Sequence, residues 1–74
     1  MNIRYDPEVD AAYLALGRDV EDGEAVAQIP EIYPPGGRGE IILDLDAEGH
    51  VIGMEILGAS VLLRPDVLAA ARKI

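Results

Sequence analysis

The sequence predicts an α+β fold: a small antiparallel β-sheet of two hairpins plus a weaker strand, meander-like in order, with one C-terminal α-helix. Three observations predict it. Apolar residues alternate with period two in both arms of residues 1–16 and again in both arms of residues 41–57. Proline, glycine and aspartate separate those arms. Near the carboxyl end, Pro65 and Asp66 form a helix-start signal. Residues 1–74 are expected to make a single domain.

In the first hairpin, Ile3 and Tyr5 alternate on one arm and Ala12, Leu14 and Leu16 on the other, around Asp6-Pro7-Glu8-Val9-Asp10. Pro7 presets a turn, and Asp6 can accept a hydrogen bond from the backbone two residues on. Opposing Tyr5 to Ala12 and Ile3 to Leu14 gathers the five apolar residues on one face and sets Arg4 opposite Tyr13 on the other. A slip of one residue would scatter them. The polar stretch from Gly17 to Gly23 reads as a loop. A weak strand follows over residues 24–29, suited to a sheet edge because Pro30 has no N–H to give a second neighbour. Residues 30–40, with Pro34-Pro35-Gly36-Gly37-Arg38-Gly39, read as an irregular connection.

The second hairpin, residues 41–57, alternates Ile41, Leu43 and Leu45 against Ile52, Met54 and Ile56. A four-residue loop Asp46-Ala47-Glu48-Gly49, with the glycine left-handed, would oppose Leu43 to Ile52 and Ile41 to Met54; a three-residue loop would oppose Asp44 to Ile52. Its other face holds Ile42, Val51 and Leu57 beside Asp44, Gly53 and Glu55, so these three are the candidate interface residues. The helix, about residues 65–73, presents Val67, Leu68, Ala71 and Ile74 as an apolar stripe, with Arg72 and Lys73 at the negative end of its dipole. About ten residues do not hold a helix in water, so it must dock on the sheet.

A chain of 74 residues without cysteine, phenylalanine or tryptophan has a light core built from Ile, Leu, Val, Ala and three Tyr. Chains of this size without disulfide or metal commonly gain burial by self-association, so a homodimer is expected. Fourteen acidic residues against six basic ones give a net charge of −8, which repels a phosphate backbone and excludes ordinary nucleic-acid binding. A basic protein partner suits that charge better. No segment approaches the roughly 20 apolar residues of a membrane span, and a cytoplasmic location is expected.

Asp44, Asp46, Glu48, Gly49 and Glu55 occupy positions 1, 3, 5, 6 and 12 of an EF-hand-like calcium loop. That makes Asp44, Asp46, Glu48 and Glu55 the metal candidates, although a β-hairpin explains the same spacing without an ion and both flanks alternate as strands. The turn carboxylates, Asp6, Glu8 and Asp10 in one cluster and Asp44, Asp46 and Glu48 in another, are the residue types of acid–base chemistry. Turns, however, ordinarily employ carboxylates to hold backbone N–H groups. With Ser60 the single serine and no cysteine, no nucleophile set is assembled. Gly36 to Gly39 leads into a strand rather than a helix, against a phosphate cradle, and His50 has no second ligand of its kind. No catalytic residue and no cofactor are expected.

Residues Tyr5 to Leu14 and Asp44 to Ser60 resemble the family of short prokaryotic proteins catalogued as domain of unknown function 2283. Two departures are Ala12, where relatives often carry a larger aliphatic residue, and the long connection from Pro34 to Gly39. The resemblance implies a tiny β-rich protein with no assigned activity and, for members encoded beside toxin-like proteins, an antitoxin or other binding role.

Overall fold

The computed structural model describes residues 2–73. Its strands are β1 (Asn2–Asp6), β2 (Ala11–Ala15), β3 (Ala27–Ile32), β4 (Glu40–Leu45), β5 (Val51–Leu57) and β6 (Arg72–Lys73), with helices α1 (Ala59–Leu62) and α2 (Pro65–Ala70) before the last strand. Six strands form one sheet in the order β3-β4-β5-β2-β1-β6. Met1 and Ile74, outermost in the expected hairpin and helix stripe, lie outside the described residues.

The first hairpin has the expected register: Ile3 opposes Leu14, Tyr5 opposes Ala12, and Arg4 opposes Tyr13. The order of strands is not that of a meander. β2 pairs with β5 instead of β3, so the two hairpins lie side by side and β3 is carried to the far edge. Pro30 accounts for this, because a strand lacking a ladder donor belongs where one side is free. β3 also continues past the proline through a bulge between Ile29 and Ile32, in which Glu31 takes a φ of 67° and donates its N–H to the Glu40 carboxylate at 2.8 Å.

The second hairpin corrects the expected register. Leu43 opposes Met54 and Ile41 opposes Ile56, two residues away from the expected pairing. The turn is the tighter one: the Asp46 N–H bonds the His50 carbonyl at 3.0 Å and Gly49, at φ 85°, bonds back to Asp46. By itself that turn would put Asp44 against Ile52. A bulge supplies the missing residue, since Leu45 pairs with Val51 while Asp44 pairs with Gly53, leaving Ile52 unpaired. The Ile52 carbonyl turns to β2 and accepts the Leu16 N–H at 3.0 Å. Alternation is thereby rescued, at a register that counting turn residues does not show.

The expected single helix is two short ones followed by a strand. α2 stops at Ala70, and Arg72 and Lys73 pair parallel to Arg4 and Tyr5. Lys73 still serves the helix end, donating from Nζ to the Leu68 carbonyl at 2.8 Å. Ala59, Leu62, Leu63 and Leu68 pack over Ala12 and Ile56, with Ile3, Tyr5 and Met54 around them. Among the described residues no helix is long and apolar enough to cross a membrane.

Gly39 fixes how closely the connection before β4 approaches this cover. Its φ is 81°, and a Cβ there would meet the Leu57 carbonyl at 2.6 Å and Leu62 at 3.0 Å. Gly39→Ala is therefore expected to cost about 2 kcal/mol or more, from left-handed strain and backbone collision together. Gly36→Ala, with open space around it, should stay within about 0.5 kcal/mol. Urea unfolding of the two variants measures the difference, and equal losses would contradict this packing.

Candidate functional site

Cross-strand pairing divides the side chains between two faces. Ile3, Tyr5, Ala12, Leu14, Met54, Ile56, Ile41 and Leu43 share the face that carries the helices. Arg4, Tyr13, Glu55 and Ile42 form a row across the other, next to a row of Asn2, Ala15, Gly53 and Asp44. Three polar clusters stand out.

At the first turn, the Asp10 backbone, at φ 54°, directs its carbonyl to the N–H groups of Gly58 and Ala59, each at 3.0 Å. Its carboxylate accepts the Ser60 N–H at 3.0 Å, the Ser60 hydroxyl at 2.7 Å and the Tyr5 hydroxyl at 2.8 Å. α1 has no side-chain cap of its own; Asp10 caps it from across the molecule. The Ser60 hydroxyl, then Tyr5, hold the Asp10 carboxyl below its ordinary range, and the hydrogen bond to Asp10 raises the Tyr5 phenol. Both shifts move away from neutrality, so at pH 7 the pair is a fixed contact and not a proton-transfer couple.

On the uncovered face, Asp44 is buried, 7% exposed. It accepts from the Tyr13 hydroxyl at 2.8 Å and from Gln28 Nε2 at 3.0 Å. Tyr13 reaches it by lying over Gly53, where a Cβ would fall 2.0 Å from the phenol oxygen. Burial, then Asp44, pushes the Tyr13 phenol strongly upward. Arg4, Asp6, Val9, Ala11, Tyr13 and Glu55 line an open hollow beside it.

At the second turn, Asp46 accepts the N–H groups of Glu48 at 3.0 Å and His50 at 2.9 Å, and its other oxygen lies 3.1 Å from His50 Nδ1. These contacts, the backbone bond from His50 foremost, lower the Asp46 carboxyl.

The metal candidates are thus separated. Asp46 and Glu48 come together with His50, their potential ligand atoms within 4.8 Å of one another, while Asp44 is engaged by Tyr13 and Gln28, and Glu55 stands in the Tyr13 row. Asp46 is committed to the turn backbone, and the EF-hand set is not assembled. Of the interface candidates, Ile42 and Leu57 remain on the uncovered face as half-buried residues, whereas the Ile52 bulge carries Val51 across from Leu45, on the side of Leu43. Sequence reasoning missed two pairs, Asp10–Ser60 and Tyr13–Asp44, separated by 50 and 31 residues. Residue chemistry marks each partner, but nothing local joins them.

Larger still is the apolar surface left bare. Leu16 and Ile29 are each 46% exposed and Val51 42%, all on the helix-bearing side but away from the helices, and Val26, Ile32 and Val61 are exposed as well.

Two outcomes are expected. Because the Asp10 carboxyl is lowered by folding, its contribution is present above the ordinary carboxylate pKa and lost as pH falls through the folded value. NMR titration should find it titrating below free aspartate in the native protein and moving upward in Ser60→Ala; an unmoved value would refute the bond from the Ser60 hydroxyl. Tyr13→Phe strips Asp44 of one donor in a buried place and should cost about 1–3 kcal/mol by urea unfolding, with a neutral result counting against the Tyr13–Asp44 bond.

A family model described as Protein of unknown function (DUF2283) matches residues 2–60 of the 74. No curated protein matches the chain. No solved structure matches it.

Proposed function

The chain belongs to the DUF2283 family of proteins of unknown function, and on that premise we propose that it is a non-enzymatic protein-binding module, homodimeric and antitoxin-like toward a basic protein. The observation that carries this is the distribution of apolar surface. Among the described residues no bulky side chain is fully buried, while eight large hydrophobic residues, from Val9 to Val61, are exposed. A monomer ordinarily keeps such surface small and scattered. Here it accompanies a thin core, and a protein partner would supply the missing burial.

The net charge of −8 supports the second half of the proposal. A surface of that sign speeds encounter with a basic protein and rejects nucleic acid. Within the clusters described above, Asp10, Asp44 and Asp46 are spent on internal hydrogen bonds. Exposed Glu8, Glu21, Asp22 and Glu31 give the outward charge.

Sedimentation equilibrium at micromolar concentration should show a dimer, and capture from the native host should recover a basic protein that salt releases. A monomer that retains no protein would overturn the proposal.

A further inference from the structure

We infer that two copies associate face to face through the uncovered part of the apolar side of the sheet, centred on Ile29, Leu45 and Val51; this rests on the homodimer proposed above and names its surface. α1 and α2 cover the side of β1, β2 and the Ile56 end of β5. Two cross-strand rows extend beyond them: Ile29 and Leu43, continuing outward from Met54 at the margin of the core, and Ala27, Leu45 and Val51. Leu16 lies beside them, held to the Ile52 carbonyl. The two rows contain no charged residue, and Arg18 and Glu24, which line a hollow with Leu16 and Ile52, are paired with each other.

That composition selects the occupant. A basic partner would find no acid within the rows to pair with, and burying its cations there would cost more than contact returns. A second copy brings the same uncharged rows, and a twofold axis sets like on like without an unmatched polar group. Two chains of −8 repel overall, and an apolar centre keeps that repulsion to the rim, where salt screens it. The packing is face on face because β3, at the edge, is exposed along its length yet interrupted by Pro30 and the left-handed Glu31. A strand so bent does not take another alongside. A specific interface takes at least about 500 Å² from each partner, about a tenth of the 4912 Å² surface. The rows, flanked by Val26 and Ile32 on the same edge, offer the apolar middle of such a contact.

The test is sedimentation equilibrium of the full chain, with Ile29→Asp and Val51→Asp, and with Val9→Asp as control at a 68% exposed turn position. Each of the first two should raise the dimer dissociation constant at least tenfold with an unchanged circular dichroism spectrum, and Val9→Asp should leave it within twofold. Raising salt should tighten the wild-type dimer, opposite to its effect on a complex with a basic protein. Should either variant unfold, the wild-type methyl signals of Ile29, Leu45 and Val51 are followed by NMR on dilution, and they are expected to shift together. A wild-type dimer undisturbed by both variants, or methyl signals indifferent to dilution, overturns this surface while leaving the homodimer standing. A wild-type monomer at every concentration removes the homodimer itself.

Discussion

The arrangement depends on one contact, between Asp10 and the start of α1. A four-residue helix followed by a six-residue helix has no stability of its own. Its position over Ala12 and Ile56 is set where Asp10 takes up the N–H groups of Gly58, Ala59 and Ser60. Through Tyr5 the same carboxylate is tied to the strand beneath. Leu62, Leu63 and Leu68 are placed downstream of that anchor, so the apolar cover follows from a polar bond.

The two faces are organised by different rules. Under the helices, burial of aliphatic side chains is the stabilising term, and each residue contributes in proportion to the surface it hides. The opposite face has no covering element; it is ordered by Tyr13 lying across Gly53 to reach Asp44. A phenol ring there shields a carboxylate from water and also satisfies it, which neither an aliphatic residue nor a smaller polar one would do. Gly53 is consequently a packing residue, although it sits in the middle of a central strand.

Much of the fold was legible in the sequence. The pairings Ile3–Leu14 and Tyr5–Ala12 follow from alternation across a short turn, and the edge position of β3 follows from Pro30. What was not legible is non-local or a matter of a single residue. Alternation cannot count the unpaired Ile52, since a bulge hides inside a strand whose outward pattern it preserves. The adjacency of β2 and β5 joins segments some forty residues apart, and β6 is two residues long with no periodicity to detect. For the candidate site, the metal spacing from Asp44 to Glu55 was visible, yet spacing along a strand differs from proximity, and Tyr13 and Gln28 claimed Asp44 first. The exposed rows at Ile29 and Val51 became visible only once the helices were seen to stop short of them.

The kinked margin formed by Pro30 and Glu31 limits how large an assembly can grow. A straight, unobstructed strand at that border could recruit copies one after another into a fibre. With one border bent and the other ending in the two-residue β6, the ladder has no productive place to lengthen. Crowding such molecules together therefore offers little purchase for strand-by-strand growth, in a protein with Ile29, Ile32 and Val51 exposed.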